Sequence, residues 1–439
     1  MFGNKGPFAH RNVRLFVWFK LLFNARFYYP VLAILFLDLG LTLDQFVILN
    51  AIWAATIFLA EVPSGALADI IGRKKLLVIA TACMVAEMVT LLFAPLEGGW
   101  LLFSVCALNR VLSGLSEAAA SGADEALAYD TLEEAEEEDL WDDALATSMR
   151  WSAGAMIIAV ITGAAVYDPR FLNGFLASLG WQTSFTQAET LRLPIFLCLI
   201  QALAAFLISL RFRDIDECEE KTRAWKDVWR QTLDAARWVF STRTALFIVF
   251  GALTIDAFAR NFATINSSYF RLIELPESLY GVIAAGTALI GLALPSIARR
   301  LARALSLKAN YVIAAVWTLL SLILLIPTWK WWGVIPAILL MAALSFISFL
   351  VSRSLNKIAS SSQRATVLSV KGLLFNLGYG AISLLFSLGV AYGRKSIDLE
   401  GDALEDHAFI FALTWQPLVL IVLFGFILLS FRRTNIPAG

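Results

Sequence analysis

The sequence predicts an all-α membrane protein of twelve transmembrane helices, divided six and six. Three observations predict it. Of 439 residues, 59% are hydrophobic and only 16% charged, too little charge to keep the surface of a soluble protein of this size wet. Apolar stretches recur along the whole chain, each near the roughly 20 residues that a helix needs to cross about 30 Å of hydrocarbon. The longest polar connection, 212–243, falls after the sixth stretch. Spanning β-strands would read as alternating segments of about ten residues, and the sequence has none.

The stretches run 14–39, 45–67, 76–96, 100–128, 146–166, 192–211, 245–270, 278–298, 309–327, 331–352, 366–391 and 406–431. They divide the chain into an N-terminal six-helix bundle (1–211), a cytoplasmic linker with an amphipathic helix (212–243) and a C-terminal six-helix bundle (244–439). With the N-terminus in the cytoplasm, connections on that side hold 23 of the 35 Lys and Arg, and the opposite side holds six. The positive-inside bias therefore places both termini in the cytoplasm of a cell membrane. The first stretch lacks a cleavage site and reads as a retained helix. In the linker, Trp225, Val228, Trp229, Leu233, Ala236, Val239 and Phe240 recur at helical spacing beside Lys226, Arg230 and Arg237. That pattern predicts a helix lying against anionic headgroups. The acidic run between Glu133 and Asp143 reads as a solvated face.

Composition also excludes several classes. Net charge is zero, so no basic face argues for nucleic acid. Cys83, Cys106, Cys198 and Cys218 have no metal-ligand spacing and read as small apolar fillers. No HExxH, GxSxG or phosphate-binding loop is present, and no loop is long enough for a nucleotide-binding domain. Neither an enzyme nor an ATP-driven pump is expected, and no cofactor or metal.

An ionisable residue at the centre of a spanning helix costs about 2.5–3.5 kcal/mol, so each one needs a reason. The first span carries Arg26, beside Tyr28, Tyr29 and Pro30. The fourth carries Arg110, Ser113, Gly114, Glu117, Ser121 and Asp124, whose offsets fall on one side of a helix. The seventh carries Asp256 and Arg260, four residues apart, with Thr264 a turn further on. These two either neutralise each other or face a solute. In the eleventh, Asn376, Tyr379, Ser383 and Ser387 form a polar stripe, and Lys371 falls off it. Glu87 reads as structural, and Glu61 as a brace for the loop that follows it. His10 and His407 lie outside the mid-membrane region and read as surface residues.

That loop runs Gly65-Ala-Leu-Ala-Asp69-Ile-Ile-Gly72-Arg73-Lys74, between the second and third spans. It resembles the G-x-L-a-D-x-x-G-R-K signature of the major facilitator superfamily. Arg110-Val-Leu-Ser113-Gly114 resembles the same superfamily's R-x-x-q-G motif, with Ser113 where Gln is usual. The likeness covers the whole chain and points to the drug/metabolite-exporter-like branch. The fifth span, with Gly154 and Gly163, nevertheless lacks the G-x-x-x-G-P-x-x-G-G signature of drug antiporters, and no sugar-porter signature occurs. The loop at 295–308, symmetry-related to the first signature, keeps Arg299, Arg300 and Arg303 but has no acid.

The resemblance implies two pseudosymmetric bundles around a central cavity lined by spans 1, 4, 7 and 10. It also implies that Gly65, Asp69, Gly72, Arg73 and Lys74 form a conformational lock. Arg73 or Lys74 would pair with Asp124 or Asp130, and Asp69 would meet the start of the eleventh span. The implied function is secondary active transport of a small organic solute by alternating access, coupled to protons. Substrate-binding candidates are Arg26, Tyr29, Arg110, Ser113, Glu117, Asp256, Arg260 and Asn376; proton-coupling candidates are Glu117, Asp124 and Asp256. The cations lean toward an anionic or zwitterionic solute. The alternatives are multidrug or lysolipid efflux and, further off, a membrane receptor. The expected partners are the solute, H+ and membrane lipids, with the chain a monomer.

Overall fold

A computed structural model describes residues 6–96, 98–213, 237–358 and 364–432. Twelve helices are long and apolar enough to cross a membrane, and no strand occurs among the described residues. Numbering them as spans, span 1 is Arg11–Asn24 continued by Leu32–Asp38, and span 2 is Leu43–Ile71. Spans 3 to 6 are Arg73–Leu92, Gly99–Ala120, Trp141–Tyr167 and Leu193–Arg211. Spans 7 to 9 are Arg243–Leu272, Ser278–Ala304 and Leu307–Leu325, and spans 10 to 12 are Val334–Ile358, Arg364–Lys395 and Asp402–Ser430. An even number of crossings returns both ends of the chain to one end of the bundle, here called the terminal end. Of the linker, the segment 214–236 lies outside the described residues, and with it most of the expected amphipathic helix; 237–241 is helical.

Local chemistry sets the helix ends. Span 2 starts on a capping box in which Gln45 reaches back to the Thr42 backbone at 3.0 Å. It ends at Gly72, whose φ of 92° belongs to glycine. Span 3 follows at once, so a single residue reverses the chain where the loop signature lies. Pro63, Pro295 and Pro417 sit within continuous helices. Pro30 does not: between Asn24 and Tyr29 the backbone of span 1 leaves the helix, and a short 3-10 turn, Tyr29–Val31, restarts it.

An opened backbone inside a bilayer must find partners within the protein. Span 6 supplies them. Gln201 donates its side-chain amide to the carbonyls of Leu22 and Ala25, and the Phe27 N–H points to Cys198 Sγ at 3.2 Å. Span 5 presses on the same stretch, where a Cβ on Gly163 would lie 1.7 Å from the Phe27 carbonyl oxygen.

The first six and last six spans meet along three seams: span 2 with span 11, span 5 with span 8, and Leu32–Asp38 with span 7. At the second seam, a Cβ on Gly281 would lie 2.2 Å from the Val160 carbonyl oxygen. Large apolar side chains face outward, among them Phe426 and Leu429, while Trp100, Trp181 and Trp332 stand exposed near helix ends. Apolar flanks with aromatic girdles suit a bilayer.

Candidate functional site

The seams enclose a central cavity of about 370 Å³ between the two halves of the chain. Span 1 contributes Tyr28, Tyr29 and Pro30, span 2 Asn50 and Trp53, and span 4 Arg110, Ser113 and Glu117. From the second half come Arg260, Thr264, Asn266 and Phe270 of span 7, Tyr280 of span 8, Met341 of span 10 and Tyr379 of span 11. Six aromatic rings and two guanidinium groups thus share one hollow. Such a mixture, apolar walls with a few convergent polar groups, is the usual form of a small-molecule site.

Arg110 belongs to a sealed cluster. Its Nε and Nη2 donate to Asn109 Oδ1 at 3.0 and 2.8 Å, and Nη2 lies 4.0 Å from Glu87. Arg26 Nη1 stands 3.4 Å from the same carboxylate, and the Tyr28 hydroxyl donates to it at 3.1 Å. Asn109 Nδ2 closes the ring by donating to the Glu87 carbonyl at 2.7 Å. Arg26 and Glu87 are 2% and 0% exposed. Two guanidiniums share one carboxylate, so the cluster holds one surplus positive charge. Arg26 lines no part of the cavity; it stands behind the wall, while Arg110 is on it. Glu87 is the counter-ion that helical spacing along span 4 could not supply.

Across the cavity, Arg260 Nη2 donates to Asp256 Oδ1 at 2.9 Å, and Nη1 reaches Asn376 at 3.4 Å. Thr264 and Tyr379 are joined through their hydroxyls at 3.1 Å. The second carboxylate oxygen of Asp256 is buried without a partner among the described residues.

Two side chambers continue from the cavity toward the terminal end. One is lined by Lys20, Tyr29, Glu117, Ser121 and Asp124, the other by Trp53, Glu61, Glu117, Asp256, Arg260, Lys371 and Asn376. Glu117 lines all three hollows. No hydrogen bond or ion pair to its carboxylate occurs among the described residues. Asp124 pairs instead with Lys20 at 2.9 Å, and Arg73 forms an ion pair with Asp130. Lys371, off the polar stripe by spacing, reaches the same chamber as Asn376 and lies over the Phe375 ring at 5.1 Å. Glu61 faces this chamber too, a placement that differs from a brace for the loop. The surroundings of Gly65 and the side chain of Asp69 lie outside what the structure describes.

The opposite end is latched between the halves. Arg271 Nη1 and Nη2 donate to the two oxygens of Asp38 at 2.6 and 2.7 Å, and Nη2 also meets Glu277 at 2.5 Å. The Tyr167 hydroxyl donates to Asp38 at 2.5 Å, and the Ser278 N–H to Asp168 at 3.2 Å. Arg394 forms ion pairs with Asp44 across the halves and with Glu405. Burial pushes the Glu277 carboxyl up from its ordinary range, against the pull of Arg271. By contrast, the ion pairs Lys20–Asp124, Lys20–Glu125 and Arg73–Asp130 at the terminal end stay within the first half.

A twelve-span bundle with a central hollow between its halves defines a multi-pass membrane transporter fold. Residues 15–383 match the family model of the Major Facilitator Superfamily. The chain belongs to that superfamily. Solved structures agree on the fold. The bacterial homologue of the human lysosomal transporter Spinster, inward-facing and occupied, gives a TM-score of 0.70 at 15% identity over 98% of each chain. A variant of the nucleoside transporter NupG gives 0.69 at 13% identity, over 95% of this chain and 98% of that one. A D-xylose-proton symporter gives 0.60 at 11% identity, over 97% and 96%. A comparison with curated proteins gives no match.

Proposed function

We propose that the chain carries a small organic solute with an anionic group by alternating access, coupled to proton movement. The observation that carries this reading is the placement of Arg110 and Arg260, one from each half, on the wall of one cavity. A solute held between them is gripped by whichever half moves. Tyr29 and Ser113 line the grip, Asp256 and Asn376 orient Arg260, and Arg26 holds Glu87 for Arg110. Glu117, unpaired at the meeting of three hollows, is the first proton carrier; Asp256, with its free oxygen, is the second. Asp124 is engaged by Lys20 and comes last.

The halves 1–211 and 244–439 rock against each other, and the latched end opens as the terminal end closes. The Lys and Arg bias sets the terminal end in the cytoplasm of a cell membrane, so the latch faces outward. Closure of the terminal end then engages the loop of Gly65, Asp69, Gly72, Arg73 and Lys74. One chain encloses a whole cavity, which supports a working monomer. Flux in whole cells decides the direction.

The test is transport by purified protein in liposomes, after a thermal-shift screen for solutes that raise stability by mass action. Arg110→Ala should lower flux at least about tenfold, the equivalent of 1.4 kcal/mol of lost grip. Wild-type flux in that variant would remove the anchor. A second reading, efflux of lipophilic cations or lysolipids, draws on the six aromatic rings of the cavity. Preferential binding of such compounds over small anions would favour it.

A further inference from the structure

We infer that the solute is a monoanion with an aromatic or similarly flat apolar body, and that each one moves with a single proton on Glu117. The loaded step then carries no net charge. This rests on the proposed function and makes it more specific.

The argument is one of charge balance around the three hollows. Arg260 is matched by Asp256 at 2.9 Å, and Lys20 by Asp124 at 2.9 Å. Lys371 and Glu61, of opposite sign, enter the same side chamber. Arg26 and Arg110 share only Glu87, which leaves one positive charge over. Among the described residues, the one remaining charge on these hollows is the unpaired carboxylate of Glu117. With Glu117 ionised, the empty site is therefore neutral.

Seven residues of one helix separate Arg110 from Glu117, about 10 Å along the axis. The two surplus charges are too far apart to cancel by contact, so each stays available to a ligand. A monoanion against Arg110 satisfies the positive end and leaves the site one charge negative. Occlusion removes the water that would screen it, and an uncompensated charge in such surroundings is costly. Protonating Glu117 restores neutrality. A dianion would need a second proton, and a zwitterion none, because its cation would meet Glu117 directly.

Glu117 is well placed to receive the proton. It faces Tyr29 of span 1, Trp53 and Glu61 of span 2 and Met156 of span 5. From the second half it faces Arg260, Asp256 and Lys371. Arg26, Glu87 and Arg110 act on it through space, and Asp124 and Lys20 share its other chamber. Both chambers lead toward the terminal end, so a proton has a polar route. The body of the solute follows from the walls: Tyr29, Trp53, Phe270, Tyr280 and Tyr379 offer flat apolar faces. At about 370 Å³ the hollow is at the small end for a ligand site.

The experiment uses the full chain in liposomes, with radiolabelled benzoate and indole-3-acetate as probes and with phthalate, tryptophan and acetate for comparison. A pH gradient is imposed while valinomycin and potassium clamp the voltage. Initial uptake of the aryl monocarboxylates, less that into protein-free liposomes where the neutral acids diffuse unaided, should be at least about tenfold faster with the gradient than without it, and equal at voltages about 100 mV apart. Glu117→Gln should abolish the gradient-driven accumulation, and Glu117→Asp should restore it in part. Voltage-dependent flux of the monoanions, or coupling that survives Glu117→Gln, overturns the one-proton balance. Preference for tryptophan without a pH effect overturns the monoanion. Failure of every aryl carboxylate, with another solute carried through Arg110, overturns the substrate class and spares the proposed function. If no anion binds and Arg110→Ala changes nothing, the proposed function itself fails.

Discussion

Arg271 donates both terminal nitrogens to the carboxylate of Asp38, at 2.6 and 2.7 Å, tying span 7 to span 1 across the two halves. The pair is part-exposed, so its coupling should lie between that of a surface and a buried bridge, about 1–2 kcal/mol. Reversing one charge by Arg271→Asp should shift the protein toward the state open at this end. A cysteine at Thr264 would then react several-fold faster with an impermeant maleimide supplied from that face. Adding Asp38→Arg should restore slow labelling. Equal rates in all three proteins would show that the pair holds nothing shut.

Glu87 is the carboxylate shared by Arg26 and Arg110, in a position fully shielded from solvent. Taking away the partner of a buried charge costs about 3–5 kcal/mol. Glu87→Gln should therefore lower the melting temperature in detergent sharply. Arg26→Met added to it should be less harmful than Glu87→Gln alone, because one stranded cation is gone. Additive losses would argue that the residues do not act as a cluster.

Glycine positions separate close packing from open space. A Cβ at Gly163 meets the Phe27 carbonyl at 1.7 Å, where backbone opposes backbone, whereas one at Gly174 meets nothing within 4 Å. Gly163→Ala should cost at least about 1–3 kcal/mol through overpacking. Gly174→Ala should be neutral or slightly stabilising, by up to about 1 kcal/mol of helix propensity. Gly281→Ala, which sets a methyl against Val160, should instead pry the halves apart and raise the maleimide reactivity described above. Similar melting curves for the Gly163 and Gly174 variants would contradict this packing.

Glu277 gives the latched end a pH dependence with a definite sign. Its folded-state pKa is raised by burial, so the folded protein holds the proton more tightly than the unfolded chain does. The stability it contributes is present below the ordinary glutamate range and is lost as pH rises through the folded value. Thermal unfolding followed from pH 7 downward should show added stabilisation as the ordinary glutamate range is approached. Glu277→Gln should flatten that rise. An unchanged slope would assign the effect to other groups.

Much of the fold was legible in the sequence because a bilayer imposes a one-dimensional rule: about twenty apolar residues per crossing. Span number and the long connection after span 6 followed from that alone. The polar face of span 4 was legible as well, since Arg110, Ser113 and Glu117 fall on one side of a helix and all line the cavity. What was not legible depends on how helices rotate against each other. Spacing along span 4 puts Glu117 two turns from Arg110 and offers Arg110 no partner on its own helix, whereas the nearby carboxylate is Glu87 on span 3. Arg26 looked like an anchor for solute and stands behind the wall. Asp38, Asp44, Arg271 and Arg394 sit at helix ends, where charge is ordinary, so nothing in the sequence marked them as a latch. Tyr379 falls on the polar stripe of span 11, whereas Trp53 is a cavity residue without any local signal, because an aromatic in a spanning helix most often faces lipid or core.

The gap in span 1 has a mechanical meaning. Tyr29, on the cavity wall, and Asp38, in the latch, belong to the same short rod beyond the gap, and side chains of spans 3 and 6 steady the joint in place of helical backbone bonds. In the proposed cycle a pull at the rim would tilt the rod and shift the tyrosine inside, with the remainder of the span left in place. Access and grip would then be wired together through a lever a few turns long.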